Sequence, residues 1–317
     1  MMITKAHWLS VLILSLAILA VAWSPNSAQA QAVTGDALAE PGARFDEVLL
    51  IKGPVSDDGL QAIFGTPDLG LGTQRIGVVL TSPQGLVRSP LATFATYFVE
   101  DGEVSATASQ TSVAFFNPFP LNTRGIYTAK IDFDRPGKWR LEISILDDNA
   151  KNLSTEIEFH VNESAAAPSA GEQAIASKIR TIRDVESVAE LTTGSLQDPD
   201  LYQISIADAV ASGKPTMIVM VSPAFCTNAV CGPQVDILQQ LKDAYKGQAN
   251  FIHVDIYENP LEIQGDLDRG VISSTVREWN LPSTEWSFVI TSSGIVHERF
   301  ESFTGYDELE TSLKEVL

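Results

Sequence analysis

Met217-Ile218-Val219-Met220-Val221-Ser222-Pro223-Ala224-Phe225-Cys226-Thr227-Asn228-Ala229-Val230-Cys231-Gly232-Pro233 carries an apolar run, a short turn and both of the chain's 2 cysteines, just ahead of a helical pattern. A buried strand that hands two sulfurs to a helix start is a place for redox chemistry, because exposed N–H groups and the partial positive charge there favour thiolate over thiol. Spacing limits the geometry. Five residues along a continuous α-helix rise about 7.5 Å and turn by roughly 140°, whereas a disulfide needs Cα atoms within about 7 Å and converging side chains. Either Cys226 lies in the turn ahead of the helix, or oxidation unwinds the first helical turn. Pro233 places a helix start nearby, since proline is tolerated at the beginning of a helix and harmful further in.

Working outward, Ile206 to Ser212 reads as a helix and Thr216 to Val221 as a buried strand. Val235, Leu238, Leu241 and Tyr245 repeat at helical spacing, and Phe251 to Ile256 is a second apolar strand. Val276 to Trp279 sits in another helix. Trp286 to Thr291 and Ile295 to Phe300 form a hairpin around Ser292-Ser293-Gly294, and Tyr306 to Val316 closes with an amphipathic helix. Alternating helices and strands that end in a hairpin and a helix predict an α/β domain with a mixed sheet over residues 176–317.

The preceding half has a different pattern. Trp139, Leu141, Ile143 and Ile145 alternate with polar residues, as do Ile157, Phe159 and Val161, and alternation is the mark of a half-buried strand. Ile76 to Leu80, Phe94 to Val99 and Ile126 to Phe133 add further strands, separated by turn chemistry such as Asp101-Gly102 and Asp134-Arg135-Pro136-Gly137. No long helical period intervenes, so residues 45–162 predict an all-β, immunoglobulin-like sandwich. Asn162 to Gly171 is small and polar with a proline, which places a linker at 163–175 with few contacts holding it. Asn152-Leu153-Ser154 and Asn162-Glu163-Ser164 fit a glycosylation pattern that is common by chance.

The N-terminus has the pattern of an export signal. Lys5 and His7 precede an apolar stretch from Trp8 to Trp23, and Ser27-Ala28-Gln29-Ala30 predicts cleavage after Ala30. Residues 1–30 are therefore expected to be a signal peptide and 31–44 a flexible lead-in. The expected location is extracytoplasmic, periplasmic or secreted, with no membrane span after cleavage; an uncleaved anchor is the alternative. In such a compartment a disulfide persists. The chain has 317 residues and 40 Asp and Glu against 21 Lys and Arg, a formal charge of −19. Such a surface repels phosphate backbones, so nucleic acid is excluded as a partner.

The C-terminal half resembles the thioredoxin superfamily in its order of strand, cysteine motif, helix, strand, helix, proline, hairpin and helix. Phe225-Cys226 falls where that family has Trp-Cys, Cys231 where its second cysteine opens the helix, and Leu281-Pro282 where it has a cis-proline. The resemblance implies a thiol–disulfide oxidoreductase acting on protein thiols and disulfides without a cofactor. Cys226 would be the nucleophile, Cys231 the resolving cysteine, and Pro282 a cis-proline beside the site. Two features depart from the family: the spacing is C-x4-C rather than C-x2-C, and Met220 stands where many thioredoxins bury an acid.

The spacing also resembles an atypical two-cysteine branch of the peroxiredoxins, but Val219 and Pro223 do not supply that family's peroxide pocket. Copper handling is a further alternative, since copper chaperones share this fold and Cys226, Cys231 and His253 offer soft ligands. No cysteine or histidine spacing points to zinc. The remaining alternative is an inert staple. The β-rich half shows no catalytic constellation, and its expected role is docking an unidentified protein partner.

Overall fold

The computed structural model describes residues 51–83, 85–119, 125–147, 149–226 and 230–317. The expected signal peptide and lead-in lie outside the described residues, as does Thr227-Asn228-Ala229 between the cysteines.

The β-rich half is built from β1 (Gln61–Phe64), β2 (Gly72–Ser82), β3 (Gly85–Leu86), β4 (Leu91–Glu100), β5 (Glu103–Val104), β6 (Gln110–Pro118), β7 (Gly125–Phe133), β8 (Gly137–Leu146) and β9 (Asn152–Val161). These strands corroborate the alternation read from the sequence, but they do not form a sandwich. They make a single 9-stranded sheet in the order β1-β2-β7-β6-β4-β8-β9, with β3 and β5 as short side strands. Every pairing in it is antiparallel. The immunoglobulin-like expectation is therefore corrected. Period two says which face a residue takes, not which strand lies beside it, and two packed sheets and one curled sheet share the same alternation.

The sheet curls until its ends meet. Residues 51–54 pair with β1, Gly53 N–H donating to Ala62 O and Phe64 N–H to Ile51 O, each at 2.9 Å. On their other side lies β9, where Thr155 Oγ1 donates to Pro54 O at 3.4 Å. The result is nearly barrel-shaped. Its interior is aromatic: Phe64 stacks on Phe159 at 4.8 Å, and Phe133 meets Trp139 edge-on at 5.0 Å. Asp101 and Gly102 take φ of 50° and 84° between β4 and β5, the left-handed pair that a two-residue hairpin needs and an Asp-Gly sequence supplies.

The second half contains α1 (Ile206–Ala211), β10 (Thr216–Val221), α2 (Cys231–Ala244), β11 (Asn250–Val254), α3 (Pro260–Ile263), α4 (Ser274–Glu278), β12 (Glu285–Ile290), β13 (Val296–Glu301) and α5 (Tyr306–Lys314). Its 4-stranded sheet runs β11-β10-β12-β13, with β10 parallel to β11 and antiparallel to β12. The mixed sheet expected from the sequence is present. The apolar run of β10 is explained by burial of all 6 of its residues, the state of a central strand covered on both faces.

All described residues fall within one compact unit. Phe119 and Ile126 of the β-rich half share a core with Met217, Val219 and Phe300. Buried Arg75 on β2 forks onto Glu308 of α5 at 2.7 and 2.9 Å and donates to the carbonyls of Glu301 and Phe303, both at 2.9 Å. The stretch expected to be held by few contacts is instead strapped along the edge of β13. Gly171 N–H donates to Val296 O and Val296 N–H to Glu172 O, each at 2.8 Å. Asp68 accepts from Ala166 N–H and Ala167 N–H at 2.7 and 3.0 Å. A sheet edge takes hold of backbone, so the absence of large apolar side chains did not leave this segment loose. Limited proteolysis of the native protein is expected to spare residues 163–175; a first cut there would show that the strap does not hold in solution.

Candidate functional site

The site lies where β10 ends. Val221 is the last residue of the strand, Ser222 to Cys226 form the turn, and α2 begins at Cys231. Of the two geometries the spacing allows, the structure adopts the first: Cys226 is in the turn and Cys231 is the opening residue of the helix. Their Cα atoms are 5.8 Å apart and the sulfurs are joined. Pro233, third in the helix, sits within the first turn, where a missing N–H leaves no bond unmade.

The two sulfurs are not equivalent. Cys231 is 1% exposed and belongs to the core under α2. Cys226 is half-buried and packs at the edge of that core. Cys231 N–H donates to Cys226 Sγ at 3.3 Å, so a backbone dipole at the helix start points at the outer sulfur. The same donor would stabilise a Cys226 thiolate.

Around the turn is a buried polar cluster that the sequence reading missed. Asp255, directly after β11, is 4% exposed. Its carboxylate accepts from Thr193 N–H at 2.7 Å, Thr193 Oγ1 at 2.8 Å and Tyr257 N–H at 3.0 Å. Burial, partly offset by these hydrogen bonds, raises its pKa to about 6. Thr193 Oγ1 in turn accepts from Ala224 N–H at 3.3 Å and lies 3.0 Å from Ser222 Oγ. Phe225, the residue before Cys226, meets Tyr257 edge-on at 5.8 Å. The one available signal was an acid inside the apolar run Phe251-Ile252-His253-Val254-Asp255-Ile256.

His253 is not gathered to the cysteines. It is 1% exposed, with Nδ1 2.7 Å from Tyr202 Oη and Nε2 3.2 Å from Val221 O. Burial lowers its pKa to about 4, so it is neutral at ordinary pH. Among the described residues no group of three or more His, Cys, Asp or Glu is placed to hold a metal ion. The copper set of Cys226, Cys231 and His253 is therefore not assembled. Pro282 precedes β12, whose first residue, Glu285, pairs with Val221. No peptide bond among the described residues is cis, so the cis-proline implied for Pro282 is corrected to trans.

No family model matches the chain, and no curated protein does. Among solved structures, a solution structure of a thioredoxin-like protein in the oxidized form is 12% identical over 48% of this chain and 95% of its own, with a TM-score of 0.26. At that score the likeness carries no argument about this chain. The C-x4-C pair and its position between a buried strand and a helix stand on the chain's own geometry.

Proposed function

We propose that this chain is an exported thiol–disulfide oxidoreductase that exchanges disulfides with protein clients through Cys226 and Cys231. The observation that carries the reading is the asymmetry of the pair: a half-buried Cys226 in the turn, a buried Cys231 at the helix start, and the Cys231 N–H aimed at Cys226 Sγ. An inert staple has no need of one reachable sulfur beside a helix N-terminus. The export pattern of residues 1–30 supports work in a compartment where disulfides persist.

Exchange runs in two displacements. A client thiolate attacks Cys226 Sγ, forming a mixed disulfide and releasing Cys231 as a thiolate. A second client thiolate attacks the client sulfur of that mixed disulfide, releasing Cys226 as a thiolate. The client leaves oxidised and the pair reduced by two electrons. The reverse sequence reduces a client disulfide.

Equilibration of the pair against glutathione and dithiothreitol buffers tests the reading. A potential between about −120 and −270 mV is expected, the range of exchange catalysts, whereas a value below about −300 mV is that of a structural disulfide and would overturn it.

A further inference from the structure

We infer that Asp255, acting through Thr193, is a positioning residue for the Cys226–Cys231 turn, holding the segment Leu191–Gly194 against the turn and biasing the pair toward its disulfide form. The inference rests on the exchange reading above for its functional meaning.

The argument begins with what must move. Bonded sulfurs sit about 2 Å apart, and two free thiols need ordinary van der Waals separation, so reduction displaces one side of the turn. Cys231 is fixed in the first turn of α2 and 1% exposed. The displacement therefore falls on Cys226 and the residues leading into it.

Those residues are pinned from one direction. Ala224 N–H donates to Thr193 Oγ1, and Ser222 Oγ lies 3.0 Å from the same oxygen. Gly194 lies so close to Pro223 that a Cβ on it would come within 3.0 and 3.1 Å of that ring. Leu191–Gly194 is thus seated on Ser222, Pro223 and Ala224 together. What seats it is Asp255, which takes both the backbone N–H and the hydroxyl of Thr193. With its proton committed to the carboxylate, Thr193 Oγ1 presents its lone pairs to the turn. Hydrogen bonds to an ionised acceptor are about twice as strong as neutral ones, so the pin is firmest when Asp255 is charged.

The titratable groups near Asp255 are known. His253 on β11, Tyr202, Lys178, Arg180, Tyr257 and Glu258 line a cavity of about 100 Å³ with it. Arg180 donates instead to the carbonyls of Glu190 and Glu258, and neutral His253 is held by Tyr202 and Val221.

The test measures the equilibrium constant between the pair and glutathione for the wild type, Thr193→Val, Thr193→Ser and Asp255→Asn, from pH 5 to 8. At pH 8, Thr193→Val and Asp255→Asn are expected to make the disulfide about tenfold easier to reduce, a shift of about 30 mV for two electrons. Thr193→Ser, which keeps the hydroxyl, is expected to match the wild type. The difference between wild type and Asp255→Asn should shrink as pH falls through about 6, where burial places the Asp255 titration. A merely structural role would lower thermal stability without moving this constant. Values within twofold of wild type for Thr193→Val would overturn the inference, as would a Thr193→Ser variant shifted as far as valine. If Asp255→Asn does not fold, the valine and serine pair decides alone. The wild-type potential judges the exchange reading, and the difference between variants judges the pin.

Discussion

Replacing Cys226 by serine is expected to abolish disulfide exchange, while Cys231→Ser is expected to leave a mixed disulfide between Cys226 and a client that can be trapped. The asymmetry of exposure dictates the order. A client sulfur can reach the half-buried Cys226, whereas Cys231, at 1% exposure, meets only its own partner. With serine at 231, an attack that forms the mixed disulfide has no internal thiolate to resolve it, so the adduct accumulates. Serine at 226 leaves a thiol under the helix that no client can approach. Non-reducing gels and mass measurement of the adduct read the result. Trapping through Cys231 in the Cys226→Ser variant would reverse the assignment and sink the argument from burial.

The site was legible in the sequence to the extent that it depends on neighbours along the chain. An apolar run, a turn and a proline fix where the strand ends and the helix begins, but spacing left two arrangements open, and the structure takes the one with Cys226 in the turn and Cys231 at the helix start. Asp255 and Thr193 were not legible, because nothing in their own segments says that residues 62 apart share a hydrogen bond. The peptide bond before Pro282 was read through the resemblance rather than from its surroundings, and it is trans.

The β-rich half shows the same division. Ile143 was legible as inward-facing by alternation and Phe94 as part of a strand, and both are fully buried. Their being cross-strand partners on β4 and β8 was not legible, and that pairing joins the strands into one sheet. The strap along β13 is subtler. Asn162 to Gly171 read as small, polar and held by few contacts, yet Ala167 is buried, since neighbouring backbone is hydrogen-bonded to the sheet edge and to the Asp68 anchor. Composition counts side chains, and this segment is held by its main chain.

The junction between the two halves is expected to weaken as pH rises, and Glu301→Gln to remove that weakness. Glu301 Oε2 accepts from Asp68 N–H at 2.9 Å and Oε1 from Ser283 Oγ at 2.7 Å. Burial, and then the nearby Asp68 carboxylate, raise its pKa from 4.5 to about 7. Arg299 opposes this, but its guanidinium is already 3.0 Å from Asp68. A carboxyl whose folded pKa lies above its unfolded one costs folding nothing only while it is protonated in both states. Its penalty is absent below about pH 4.5, grows as the unfolded chain ionises, and is complete above about pH 7. At about 1.4 kcal/mol for each pH unit, it reaches about 3 kcal/mol. Asp255 acts with the same sign up to about pH 6, while neutral buried His253 acts oppositely below about 6.5; subtracting the two proteins' curves cancels both. Glutamine keeps the oxygen for Asp68 N–H and cannot ionise. Urea unfolding should therefore show variant and wild type equal near pH 4, with the variant more stable by about 3 kcal/mol at pH 8. A difference that does not change with pH would mean that folding leaves the Glu301 pKa unshifted, and a less stable variant at pH 8 would mean that folding lowers it.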